Sequence, residues 1–158
     1  MPQLSLHSPV GDLTVSEDGG AIVAVDWGWG RDQSPTPLLK AAAKQLNSYF
    51  DGKLEAFDLS LRPFGTDFQQ RVWRAMMKIP YGKVRTYGEL AEKLKSGARS
   101  VGNACGRNPI PIIIPCHRVL GTQSLGGYSG EGGVETKVVL LTLENADTKY
   151  NKHHGLGI

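Results

Sequence analysis

The period of the apolar residues changes along this chain, and the changes mark out its elements. Residues 4–6, 13–15 and 22–27 are short runs rich in Leu, Val, Ile and Thr, parted by Gly11-Asp12 and by Asp18-Gly19-Gly20. Runs of that kind between turn residues predict three β-strands. The period then lengthens. Leu38, Ala42, Leu46, Tyr49 and Phe50 recur at helical spacing behind Thr36-Pro37, an N-cap followed by proline at the first helical position, and Asp51-Gly52 stops the helix. Phe57, Leu59 and Leu61 alternate as a half-buried fourth strand would.

Arg62, Pro63, Phe64 and Gly65 read as a linker, and helical spacing dominates beyond it. Thr66 with Gln69 and Thr86 with Glu89 are capping-box pairs. The first opens a helix with Phe68, Val72, Ala75, Met76 and Ile79 inward, ended by Pro80, Tyr81 and Gly82. The second opens a short helix with Leu90, Ala91 and Leu94 inward. Ser96-Gly97 then turns the chain into a third helix over 98–107, stopped by Asn108-Pro109. Two short helices about a tight glycine turn predict a helix-turn-helix. On the third helix Ala98, Val101 and Cys105 form an apolar stripe. Arg99, Gly102, Asn103 and Gly106 form another face with little side-chain bulk. Glycine inside a helix costs about 1 kcal/mol relative to alanine, so two on one face imply a close approach, to another helix or to a narrow groove. The β-branched triplet Ile112, Ile113 and Ile114 predicts a short buried strand, bracketed by Pro111 and Pro115. Residues 134–144 predict a closing helix with Val138 and Leu141 inward.

Composition narrows the classes. At 158 residues the chain can form one domain or two small ones. No apolar run approaches the roughly 20 residues that span a membrane, and the first ten residues carry no secretory signal pattern. Two cysteines without a disulfide-framework spacing imply a reducing compartment, hence the cytoplasm. The net charge of +3 is unevenly spread. Between Thr66 and Arg107 nine Lys or Arg face only Asp67, Glu89 and Glu92, a local net of +6. A basic segment on an otherwise slightly acidic chain is the footprint of a nucleic-acid partner, although solvated helix faces can look the same.

The candidate chemistry lies at Pro115, Cys116, His117, Arg118 and Val119. A thiol becomes a nucleophile when a neighbour favours its thiolate, and histidine titrates near neutrality. In extended backbone consecutive side chains diverge, so His117 reaches Cys116 only through a turn or a bridging water. Cys105 sits on the apolar stripe of its helix and reads as a small core residue. His7 has no evident metal partner, and no metal or cofactor is expected.

The run from Asn103 to Val119, NACGRNPIPIIIPCHRV, together with Tyr87, Arg99 and Asn108, closely resembles the O6-alkylguanine-DNA alkyltransferases. The likeness covers residues 66–144 nearly completely and is looser before them. It implies a two-domain α/β (α+β) protein: a ribonuclease-H-like, strand-rich N-terminal domain (1–62), a helical, winged-helix-like C-terminal domain with the helix-turn-helix (66–147), and a polar tail (148–158). It implies irreversible, stoichiometric transfer of the alkyl group of O6-alkylguanine in duplex DNA to Cys116, after the base is flipped from the minor-groove side. A weaker activity on O4-methylthymine, and cooperativity of the monomer along DNA, are left open. By resemblance Cys116, His117 and Glu144 form a relay, and Asn108 is a hinge of the active site. Tyr87, Arg99, Ser100, Gly102, Asn103 and Gly106 meet DNA or turn the base out. Tyr87, Cys116, Val119, Tyr128 and Ser129 line the pocket, with backbone carbonyls near Cys116 and Val119 accepting the guanine amino group. No zinc is implied, because the cysteines of the family's N-terminal zinc site are missing. Residues 129–137 are more glycine-rich and acidic than usual for the family, and Ser100 stands where a small apolar residue is usual. A relay of this kind would lower the Cys116 pKa. The rival readings are a non-catalytic lesion-binding homologue, which Cys116 opposes, a helix-turn-helix regulator, which leaves the cysteine motif unexplained, and a cysteine hydrolase, for which no oxyanion-hole loop is evident.

Overall fold

The computed structural model describes residues 1–121 and 133–146. The chain divides into two compact units, Met1–Phe64 and Gly65–Ile158. Tyr128, Ser129 and the 148–158 tail lie outside the described residues.

In the first unit β1 (Gln3–Leu6), β2 (Leu13–Asp18) and β3 (Ala21–Trp27) form an antiparallel sheet in that order. Leu4 pairs with Val15 and Val15 with Val25, which aligns the apolar positions on one face. Helix α1 (Pro37–Phe50) packs on the sheet, burying Leu39, Ala42, Leu46 and Tyr49. Its N-terminus is fixed by the Thr36 hydroxyl, which accepts the Leu39 N–H at 3.1 Å, a cap worth about 1 kcal/mol. Thr14 and Ser16 are buried too, because loop 28–33 folds over the other face. There Gly30 N–H donates to Thr14 Oγ1 and to Ser5 Oγ, and Thr14 donates to the Gly28 carbonyl.

The alternating residues 57–61 do not form a fourth strand. Only Leu61 pairs, in parallel with Ile22. The backbone before it is taken by a helix side chain: Gln45 accepts the Asp58 N–H and donates to the Asp58 carbonyl, so no ladder can extend there.

The second unit is mostly helical. Helix α2 (Asp67–Met77) and helix α3 (Tyr87–Leu94) both begin with complete capping boxes, Thr66 with Gln69 and Thr86 with Glu89. Lys95 takes a left-handed conformation (φ 56°) and turns the chain into α4 (Ala98–Gly106). Trp73 is buried on α2, and its indole N–H donates to the Ala104 carbonyl at 2.9 Å, tying α2 to α4. Ala98 was expected inward but is exposed at the start of α4, while Val101, Ala104 and Cys105 carry the buried face. A parallel pair, β4 (Arg85–Thr86) with β5 (Val119–Leu120), and α5 (Val134–Leu143) complete the unit. The result is a mixed α/β protein with a strand-rich N-terminal part and a helical C-terminal part.

The isoleucine triplet is buried as expected, yet it is a tight turn and not a strand. Ile112 has φ 75°, and Ile114 N–H closes back on the Ile110 carbonyl at 2.9 Å. Pro109 and Pro111 offer no N–H for a ladder. A left-handed β-branched residue is strained by about 1–3 kcal/mol and persists only where its surroundings dictate it.

Candidate active site

What dictates that turn is Asn108. Its buried side chain accepts the Ile110 N–H at 2.9 Å and donates to the Ile114 carbonyl at 2.8 Å, clamping both ends of the turn. The chain then enters a single 3₁₀ turn, Cys116–Arg118, in which all three side chains are buried. In this turn adjacent residues do not alternate as they would in a strand.

His117 is fully buried, and its Nε2 lies 2.6 Å from Glu144 Oε2, with both side chains 0% exposed. Glu144, at the end of α5, also accepts from Arg118: Nε reaches Oε1 at 2.8 Å and Nη2 reaches Oε2 at 3.0 Å. Arg118 further donates to the Ile79 carbonyl at 2.7 Å, and Gly82 N–H points to Glu144 Oε1 at 3.4 Å. Gly82 has φ 78°, and a Cβ there would meet the Glu144 carbonyl at 3.3 Å.

The electrostatics follow. Burial alone would raise the Glu144 pKa, but the hydrogen bonds and charges of His117 and Arg118 bring it down to about 2, so it is a carboxylate. Burial pushes His117 down, against Glu144, with Arg118 and Lys137 adding to the fall. The ring is therefore neutral at pH 7. A carboxylate only accepts, so Nε2 must carry the ring proton and Nδ1 its lone pair. Nδ1 is buried and has no hydrogen-bond partner among the described residues. It is a basic nitrogen on the residue that follows Cys116 in the chain, and the partnered Nε2 can share a developing positive charge with Glu144.

One expectation is reversed. Cys116 does not rest as a low-pKa thiol: burial pushes it up, and Asn108, Lys137 and the local backbone only partly offset this. The resting group is a protonated thiol that must be ionised when it reacts. Cys105 is buried with its Sγ 3.5 Å from Met76 Sδ, and burial raises it to about 12, as for an inert core thiol. Tyr87, at the first turn of α3, is half-buried and interacts electrostatically with both thiols, and burial raises its hydroxyl to about 12.

The structure thus gathers Asn108, Cys116, His117, Glu144, Tyr87 and Val119 around one buried cluster. Arg99, Ser100, Asn103 and Gly106 are exposed on α4, and Gly102 is half-buried there. A Cβ on Gly106 would meet nothing within 4 Å, and one on Gly102 would only graze Tyr87 at 4.0 Å. These glycines are therefore not required by packing against another helix among the described residues.

Two members of the cluster were missed by sequence reading. Arg118 was quoted only as part of the motif, although a buried acid needs a permanent counter-charge. Lys137 is fully buried, and its Nζ donates to the Val119 carbonyl at 2.7 Å. One carbonyl of the stretch expected to receive a guanine amino group, that of Val119, thus already holds a donor. The signal for Lys137 was its helical phase with Leu141 and Glu144, at four and seven residues' spacing. Among the described residues no group of His, Cys, Asp and Glu could hold a metal ion, and no helix is long and apolar enough to cross a membrane.

Residues 67–146 match the DNA-binding domain of 6-O-methylguanine DNA methyltransferase, and residues 4–63 match its ribonuclease-like domain. The chain belongs to this family. It is 43% identical over 150 residues to the methylated-DNA–protein-cysteine methyltransferase of Methanosarcina barkeri, covering 88% of this chain and 94% of the relative. The protein of the same name from Mycobacterium bovis is 43% identical over 158 residues, covering 90% and 91%. A crystal structure of Mycobacterium tuberculosis OGT in complex with DNA superposes with a TM-score of 0.82 at 43% identity, covering 92% of this chain and 93% of that one.

Proposed function

We propose that this chain repairs DNA directly, by one irreversible transfer of the alkyl group of O6-alkylguanine, chiefly O6-methylguanine, to Cys116 Sγ. The observation that carries the reading is the buried His117–Glu144 pair, whose proton arrangement leaves a basic nitrogen on the residue next in sequence to a protonated thiol. His117 Nδ1 takes the thiol proton, directly or through a water, and Glu144 with its hydrogen bond steadies the imidazolium that forms. The thiolate attacks the alkyl carbon in line, the carbon–O6 bond breaks, and the departing guanine takes up the proton. The thioether cannot be ionised or displaced, so each molecule reacts once. No cofactor or metal has a role in these steps.

DNA is the natural partner of the exposed face of α4. Gly106 opens onto empty space, Gly102 only grazes Tyr87, and the helix belongs to the basic segment of the sequence. A bare helix face fits a narrow groove, and a relative of 43% identity has been crystallised with DNA. The reacting carbon is inaccessible inside a duplex, so the base must leave the stack at a cost of a few kcal/mol. Arg99, exposed on that face, would fill the space, and Tyr87 would crowd the adjacent phosphate and help rotate the nucleotide. Tyr128 and Ser129 would complete the pocket wall. Two free thiols and a DNA substrate fit a cytoplasmic protein associated with the nucleoid.

Intact-mass measurement after incubation with an O6-methylguanine duplex tests the reading. The expected result is a gain of one methyl per molecule, mapped to Cys116, absent in Cys116→Ala although that variant still binds the duplex. Turnover beyond one equivalent, or methyl found on Cys105, would overturn it.

A further inference from the structure

The His117–Glu144 pair has a third member, and its charge bears on where the protons of the pair can rest. The Arg118 side chain is only 8% exposed, and its guanidinium is held at several points. Nε meets Glu144 Oε1 at 2.8 Å, Nη2 meets Oε2 at 3.0 Å, and Nη1 donates to the Ile79 carbonyl at 2.7 Å. The Tyr81 ring centroid lies 5.8 Å from the guanidinium carbon. Glu144 Oε2 therefore accepts from Arg118 and, at 2.6 Å, from His117 Nε2 at once.

A buried carboxylate bonded to a neutral imidazole leaves a net negative charge, and a second proton on the imidazole would cancel it. That proton would occupy Nδ1, the nitrogen that has to be empty to take one from the thiol. With Arg118 in place the group of arginine, carboxylate and neutral imidazole carries no net charge. A proton from solvent would then make it positive inside a desolvated site, which burial opposes. A proton from Cys116 is different: the S–H bond breaks as the Nδ1–H bond forms, and the thiolate left behind keeps the total charge of the site unchanged. Arg118 thus opposes protons from solvent without opposing the internal transfer. Among the other titratable groups of the cluster, Cys105 and Tyr87 are raised to about 12 and stay neutral. Asp67, Arg71, Arg74 and Lys78, on and just after α2, are exposed. Burial, with Arg118 and Lys137 adding to it, lowers the His117 pKa against the pull of Glu144. Lys137 therefore acts in the same direction as Arg118, but it is Arg118 that is bonded to both oxygens of the acid His117 leans on.

We propose that Arg118 is a positioning residue for the proton transfer: its permanent charge, fixed on both oxygens of Glu144, keeps a second proton off His117 at neutral pH and so leaves Nδ1 empty for the proton of Cys116. The inference deepens the functional reading above and rests on it for the reaction that is served, though not for the protonation of His117.

The test uses the full chain with Arg118→Met, which removes the charge, and Arg118→Lys, which keeps a cation. Imidazole nitrogen NMR reads the protonation of His117. Carboxamidomethylation of Cys116 by iodoacetamide, mapped to that residue, and transfer from O6-benzylguanine are followed across pH. In Arg118→Met the resting ring is expected to be an imidazolium at pH 7. The acid limb of both reactions should then move from below the ordinary histidine value of about 6.5 to above pH 7, giving a roughly tenfold slower reaction at pH 6 that converges with wild type in alkali. Arg118→Lys should keep the neutral ring and the wild-type limb even where its stability falls. A neutral His117 with a wild-type limb in Arg118→Met, or a lysine variant as protonated as the methionine one, would overturn the proposal. In the unsubstituted protein His117 should titrate below about 6.5. An imidazolium there at pH 7 would overturn the proposal even if neither variant folds. A shifted His117 titration and iodoacetamide limb without transfer from O6-benzylguanine in any form would keep this role of Arg118 and sink the repair activity.

Discussion

Glu144→Gln separates the charge of the site from its shape. The carboxylate accepts Arg118 Nε on one oxygen, and Arg118 Nη2 with His117 Nε2 on the other. An amide of the same size offers one acceptor and two donors, so one edge of Arg118 faces N–H whichever way the amide is turned. Arg118 cannot give up a proton, and its side chain is only 8% exposed. Removing one partner of such a buried pair costs about 3–5 kcal/mol. The Glu144 pKa near 2 points to a similar size, since a fall from 4.5 corresponds to about 3 kcal/mol in favour of the ionised form. That is a large share of the roughly 5–15 kcal/mol that holds a typical protein folded. The chemistry should suffer separately. Where the amide turns its N–H to His117, the ring can meet it only by moving its own proton to Nδ1, which turns that nitrogen from acceptor to donor. Urea unfolding should show a lower midpoint at unchanged slope. Imidazole nitrogen NMR should show the Nδ1–H tautomer gaining population, and transfer from O6-benzylguanine should slow at neutral pH by more than lost folded protein accounts for. Stability within about 1 kcal/mol of wild type, with the tautomer kept, would mean that Glu144 is not the ionised centre of this network.

The same carboxylate sets the acid limit of the second unit. A depressed pKa contributes stability that is present above the unfolded value near 4.5 and lost as pH falls through about 2, so acid unfolding should steepen in that window and lose this component in Glu144→Gln. Asn108→Ala frees the Ile110 N–H and the Ile114 carbonyl inside the core, and at about 1–3 kcal/mol per unsatisfied group should lower the unfolding midpoint and slow transfer together. A stable variant would show that Ile112 holds its left-handed turn unaided. Arg99→Ala should lose repair of duplex DNA far more than reaction with free O6-benzylguanine, because the free base needs no extrusion. Equal losses would place Arg99 in the fold.

The helix starts were legible because capping is local: Thr66 with Gln69 and Thr86 with Glu89 form within four residues, and no distant partner can override them. The three N-terminal strands were legible for the same reason, since their turns carry glycines at positive φ. What failed depended on remote groups. The isoleucine triplet reads as strand by composition, and only the Asn108 side chain makes it a turn. Residues 57–61 alternate properly, but Gln45 had claimed their backbone. Trp73 escaped the stripe of α2 because its indole is placed by a carbonyl on α4. At the site, the cysteine motif identified the nucleophile, while the raised thiol pKa and the roles of Arg118 and Lys137 depend on burial, which a sequence does not state.

The Glu144 network also bears on how the second unit assembles. Its bonds join Glu144 to residues 62, 27 and 26 positions earlier, and Arg118 to one 39 positions earlier. Closing such long loops is slow and entropically costly compared with forming helical turns. The thiol-bearing turn therefore gains its carboxylate, Glu144, and the Lys137 tie only once α5 has docked. Opening of α5 alone would take Glu144 from His117 and Arg118, and Lys137 from the Val119 carbonyl, together. The reactive state of the cysteine is thus a property of the completed fold, and amide exchange in α5 should report, more directly than exchange near Cys116 itself, how much of a population is competent to react.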